Sequence, residues 1–149
     1  MLTAEDRWLI GETLSMHGHL FDEGELDRLD ELFTTDVVYD LSDLGFGVLQ
    51  GIDAVRDAAL DLGDGNPLAH LVTNIVITDH DDGDPETVRV RSKAIAITAD
   101  RRCGSATYVD ELRREPAGWR ICHRQILARR EPLGGLASGP GTEGRPDEG

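Results

Sequence analysis

The chain has 149 residues, enough for one domain with a single substantial core. Its 29 acidic residues against 15 basic ones give a formal charge of −14, a surface that repels phosphate backbones and anionic lipids and argues against nucleic-acid and membrane-surface roles. No apolar run reaches the roughly 18–20 residues of a membrane span. The start, Met1-Leu2-Thr3-Ala4-Glu5-Asp6, is acidic where a secretory signal is basic, so a cytoplasmic location is expected. Cys103 and Cys122 fit no zinc-type or C-x-x-C spacing and fall in or beside strand-like stretches, which predicts buried free thiols.

Residues 4 to about 22 read as a helix, because Ile10, Leu14, His17 and Phe21 recur on one face at the 3.6-residue period. Thr3 is its expected N-cap, Glu5 and Asp6 suit its positive end, and Glu23-Gly24 stops it. A short second helix is predicted around Leu26, Leu29, Leu32 and Phe33. Asp36 to Leu41 then reads as a strand, followed by a loop marked by Gly45, Gly47 and Gly51. A third helix spans residues 52–62, with Ile52, Val55, Ala59 and Leu62 on its apolar side, and the breaker cluster Gly63-Asp64-Gly65-Asn66-Pro67 ends it.

Four long strands follow: His70 to Thr78, Thr87 to Ala99, Ser105 to Arg114 and Trp119 to Arg129. The turn-like segments Asp81-Asp82-Gly83-Asp84-Pro85 and Glu115-Pro116-Ala117-Gly118 predict hairpins and a largely antiparallel sheet. Residues 1–130 form the predicted domain, and 131–149, rich in Gly, Pro, Ser and charge, a disordered tail. Helices segregated onto one face of an antiparallel sheet make an α+β fold. In His70 to Thr78, Val72 and Val76 alternate with Leu71, Ile75 and Ile77, so both faces are apolar. Such a sheet is expected to curl around helices inside and meet a second copy outside.

The order of several short segments resembles the nuclear transport factor 2-like superfamily, in its SnoaL-like and scytalone-dehydratase-like branch. The segments are Phe21-Asp22-Glu23-Gly24-Glu25-Leu26-Asp27, Leu32-Phe33-Thr34-Thr35-Asp36-Val37-Val38-Tyr39-Asp40, Gly51-Ile52-Asp53-Ala54-Val55, His70-Leu71-Val72-Thr73-Asn74 and Gly118-Trp119-Arg120-Ile121-Cys122-His123-Arg124. The resemblance covers about residues 4–130. It implies a strongly bent sheet closed by N-terminal helices into a cone around one deep pocket, commonly a homodimer through the outer sheet face. It also implies a small, mostly apolar organic substrate and dehydratase, isomerase or cyclase chemistry without metal or organic cofactor. Other members of the branch only bind ligands or serve as small subunits of ring-hydroxylating oxygenases.

Two residues are the expected catalytic pair. Asp22 ends the first helix, where a carboxylate is electrostatically disfavoured unless it has another use; the resemblance matches it to the family's pocket acid. His70 opens the first long strand and matches the pocket imidazole. A carboxylate can fix the imidazole tautomer and leave the other ring nitrogen to carry a proton. Period-two alternation sends Tyr39 and Asp40 to opposite faces. Leu41 stands where the dehydratases carry a water-positioning tyrosine, and their second histidine has no match among Thr87 to Ala99, so the same dehydration need not occur here.

Asn74, sharing a face with His70 and Val72, and Tyr108, on the third long strand, are expected to touch the ligand or, for Tyr108, to pack in the core. His17 lies on the inward helix face as either core or pocket residue. His123 shares a face with Trp119 and Ile121 by spacing and reaches either the pocket or the dimer face. His17 and His19 are two apart and face different directions, which is no metal pair. The acidic run Asp79 to Asp84 has its glycine misplaced for a calcium loop.

Overall fold

The first helix, α1 (Ala4–Asp22), begins with a reciprocal cap: the Asp6 N–H donates to Thr3 Oγ1 and the Thr3 N–H to Asp6 Oδ2, each at 3.0 Å. Asp6 also accepts from Arg114 Nη1 at 2.8 Å and Trp119 Nε1 at 3.2 Å, so the cap pins the helix start to the far end of the sheet. The Arg114 bond, ahead of those from Thr3, holds the Asp6 carboxyl well below the usual carboxylate range.

The computed structural model describes residues 1–81 and 84–138. After α1, a 3₁₀ turn (Leu26–Glu31) leads into β1 (Phe33–Asp40). Then come β2 (Val48–Gln50), α2 (Ile52–Leu62), β3 (Ala69–Asp81), β4 (Asp84–Ile97), β5 (Cys103–Glu115) and β6 (Gly118–Ala128). The strands form one curved sheet in the order β2-β1-β6-β5-β4-β3. Only the β1–β6 pairing is parallel among these neighbours. The fold is α+β, with α1 laid across one face.

Ile10, Leu14 and Leu20 of α1 join Val88, Val90, Leu112 and Ile121 of the sheet in one core, all at or near zero exposure. Phe21, expected on that face, is only partly buried against it. Where α1 passes β3 the two backbones nearly touch. A Cβ at Gly18 would collide with the His70 carbonyl oxygen, so only glycine fits there.

Several expectations need correction. The second helix is 3₁₀, its six residues being too few for a stable α-helical nucleus. β1 starts three residues early, and β2 lies where glycines alone suggested a loop. Cys103 is exposed because it opens β5 at the rim of the sheet, and Cys122 is half-buried. Within the proposed tail, Pro132–Ser138 makes kinked 3₁₀ turns, and residues 139–149 lie outside the described residues, as do residues 82–83 of the first predicted hairpin.

Two irregularities overturn the face assignments. β3 carries a bulge between Thr73 and Val76, with Asn74 in a left-handed conformation at φ 53°. This breaks the alternation from His70 and Val72: Asn74 is exposed and Ile75 takes the inward place. In β6, Ile121 pairs with Leu112 and His123 with Glu111, leaving Cys122 as an extra residue. The phase flips there, so His123 is exposed and Arg124 turns inward to zero exposure.

The helix–strand contact gives a paired test. Gly18→Ala should cost about 1–3 kcal/mol through overpacking. Gly11→Ala, seven residues earlier with open space around it, should be neutral or gain up to about 1 kcal/mol. Urea melts that rank the two alike would contradict the close approach.

Candidate active site

Gly18 and Asp22 are one helical turn apart on the face of α1 that meets β3. The glycine lets the helix close in, and the aspartate then reaches the strand start. Asp22 Oδ2 accepts from the His70 backbone N–H at 2.9 Å, and Asp22 Oδ1 lies 2.6 Å from His70 Nδ1. A carboxylate only accepts, so Nδ1 carries a hydrogen, and the tautomer this selects has its lone pair on Nε2. The side chains of His70 and Asp22 keep 13% and 20% exposure, which leaves the pair open to a ligand.

His17 sits beside this pair. Its ring stacks on Phe21 at 4.5 Å and meets the rings of His70 at 4.8 Å and Tyr108 at 5.6 Å edge-on. Arg124 Nη1 lies 2.9 Å from His17 Nδ1. The same guanidinium grips Asp110 with two bonds, at 2.7 and 2.8 Å, both side chains at zero exposure. It also covers the Tyr108 ring, with its carbon 4.2 Å from the centroid.

This arrangement sets the charges. Burial, then the electrostatic influence of neighbouring Arg124 and His70, pushes the His17 pKa well below 6.5, so the ring is neutral. Burial opposes the Arg124 charge, but Asp110 outweighs it and the guanidinium stays protonated. Burial also raises the Tyr108 and Tyr39 hydroxyls, keeping both protonated. Tyr39 is buried, its ring 5.6 Å from Phe33. Leu41, just past β1, packs partly buried against the core.

The structure therefore brings Asp22, His70, His17 and Tyr108 together, with Tyr39 near Arg124, and leaves Asn74 and His123 outside. Reading the sequence missed Arg124 and Asp110. One signal was present: Asp110 interrupts the apolar face of Tyr108 and Leu112, and an acid there needs a buried cation. A separate groove of about 760 Å³ along α1, lined by Trp8, Glu12, Met16, Ile75, Trp119 and Arg120 among others, contains neither Asp22 nor His70. Among the described residues no three His, Cys, Asp or Glu side chains cluster to hold a metal ion, and no helix is long and apolar enough to cross a membrane.

The SnoaL-like domain matches residues 2–125. The chain belongs to that family. No curated protein matches it. Among solved structures, this SnoaL-like chain is similar to three proteins of Novosphingobium aromaticivorans. One is described as NTF2-like with a cystatin-like fold: 25% identity, TM-score 0.69, 91% of this chain and 90% of that one covered. A candidate scytalone dehydratase shares 21% identity at TM-score 0.67, over 83% and 84% of the two chains. The beta subunit of a candidate aromatic-ring-hydroxylating dioxygenase shares 18% at TM-score 0.60, over 84% and 92%. These likenesses show the fold, which is NTF2-like.

The buried imidazole imposes a pH dependence. An unfolded histidine binds its proton near about pH 6.5, whereas folded His17 does so only well below that. Below about pH 6.5 the unfolded chain holds more protons, so stability falls with pH by up to about 1.4 kcal/mol per unit; above it this contribution is flat. Urea midpoints taken from about pH 8 to about pH 5 should show this slope, and His17→Gln should flatten it. Equal slopes in the two proteins would count against a buried neutral His17.

Proposed function

We propose that this SnoaL-like protein is an acid–base enzyme, needing no cofactor, that acts on a small, mostly apolar molecule bearing a carbonyl or hydroxyl group. The reaction class is dehydration, isomerisation or cyclisation, and a polyketide-like secondary metabolite fits best. The observation that carries this reading is the 2.6 Å contact of Asp22 with His70 Nδ1. Asp22 orients the ring and stabilises the imidazolium, while Nε2 takes a proton from the substrate and returns it elsewhere. Tyr108 and Tyr39 supply neutral hydroxyls, and Leu41 an apolar wall.

The test uses a panel of hydroxyketones and naphthol-type polyketides, with loss of water or migration of a double bond read by absorbance and mass. His70→Ala and Asp22→Asn should each lower turnover ~10²–10⁴-fold in folded protein. The double variant should be little worse than the worse single one, because the pair acts as a unit. The likeness to the dioxygenase beta subunit supports a rival, a non-catalytic small-subunit scaffold. Complex formation with a large metal-bearing partner would favour that rival, whereas ligand binding with no turnover, unchanged in both variants, would favour a non-catalytic ligand-binding protein.

The protein is further proposed to be a homodimer through the outer face of β3 and β4. Leu71 and Ile95 are cross-strand partners there, 49% and 38% exposed, and Val76 on the same face is 58% exposed. An apolar patch of this kind marks an interface. Light scattering at micromolar concentration should give twice the chain mass; a monomer sinks the proposal.

A further inference from the structure

Two imidazoles face each other in this site, and they differ in what they can do. Asp22 occupies Nδ1 of His70 as an acceptor, which leaves Nε2 bare. Arg124 occupies Nδ1 of His17 as a donor, since a guanidinium has no lone pair to offer. His17 Nδ1 must therefore accept, and its hydrogen must reside on Nε2. Nε2–H lies across the ring from Arg124 and makes no hydrogen bond to the protein among the described residues, the residue as a whole being 2% exposed. Nε2 is not one of the fully enclosed unpaired side-chain atoms among the described residues, which are Thr34 Oγ1 and Ser92 Oγ, so its N–H is free to meet an acceptor that enters the site.

The surroundings hold the ring in place, and the contact at Nδ1 sets its polarity. Phe21 stacks on the ring, His70 and Tyr108 meet it edge-on, and Arg124, clamped by Asp110, abuts Nδ1. Asp22 is engaged by His70 and does not compete. One more polar atom waits nearby: Ser92, directly across from Tyr108 on β4, is 2% exposed and its Oγ has no partner.

We propose that His17 is a fixed-polarity hydrogen-bond donor in this site, a neutral imidazole set by the Arg124–Asp110 pair, whose Nε2–H receives a carbonyl or phenolic oxygen of the substrate. The inference rests on the acid–base reading above and narrows it. His70 Nε2 takes a proton from the carbon next to the carbonyl. The C–H electron pair becomes the new C=C bond and the carbonyl electrons move onto oxygen, where His17 holds the developing charge without giving up its own proton. His70 then returns the proton to another carbon, giving an isomer, or to a departing hydroxyl, giving water. Arg124 is a positioning residue and touches no substrate.

The decisive measurement is made on the full chain labelled with ¹⁵N in its histidines. His17 should show a protonated Nε2 and a bare Nδ1, unchanged from about pH 5 to about pH 9. A reversed or mixed tautomer, or a ring that titrates in that range, overturns the proposal. In Arg124→Gln/Asp110→Asn the tautomer should become mixed; if it is unchanged, the pair is not what sets it. The functional arm uses 4-nitrophenol at a pH where the free phenol is ionised. Wild type should bind it about tenfold or more tightly than His17→Phe, with His17→Gln, which keeps an N–H donor, recovering part of the difference. Equal affinity in wild type and His17→Phe, or no binding by wild type, overturns the donor role. The spectrum and this binding test address His17 alone, whereas turnover in the Asp22 and His70 variants addresses the enzyme reading.

Discussion

The ion pair between Arg124 and Asp110 is the contact on which the rest of the interior depends. Two full charges at zero exposure cost several kcal/mol each to remove from water, and mutual attraction offsets this only with good geometry and further hydrogen bonds. Here Arg124 makes both bonds to Asp110, a third to His17 and a cation–π contact with Tyr108. Loss of either partner strands a buried charge, a defect worth about 3–5 kcal/mol. The pair therefore locks β5 to β6, and it reaches α1 through the one imidazole that touches it.

A second constraint aligns the other end of the site. Glycine at position 18 lets α1 lie against the start of β3, and the next turn delivers Asp22 to both the backbone and the ring of His70. The helix-end carboxylate, which its own helix dipole disfavours, is stabilised by two donors from the strand. One carboxylate thus secures the packing through Oδ2 and the His70 tautomer through Oδ1.

The elements that repeat a simple period were legible in the sequence. Thr3 and Asp6 marked the start of α1, Ile52 and Leu62 the bounds of α2, and the β5–β6 turn stood out in Pro116 to Gly118. Asp22 and His70 were legible because a helix-end acid and a strand-start histidine matched a known order of motifs. Arg124 was not, for a physical reason: a single extra residue at Cys122 reverses the faces downstream, and no composition signal marks it. The same holds for Asn74, where the bulge between Thr73 and Val76 defeats period-two counting. Alternation predicts faces only while the ladder is regular.

That bulge at Cys122 links fold to chemistry. Had β6 kept its alternation, His123 would point inward and Arg124 to solvent, leaving Asp110 without its buried cation and His17 without a donor at Nδ1. His17 would then be free to take either tautomer, as any isolated imidazole is. With the bulge, the guanidinium removes that choice, while Asp22 makes the opposite assignment for His70. Neighbouring rings 4.8 Å apart are thereby given unlike roles, one with an open lone pair and one with an open N–H. Moving a proton away from carbon requires both at once: a base for the proton and a donor for the charge left behind. In the proposed reaction, one extra residue in an interior strand is what lets two histidines supply them.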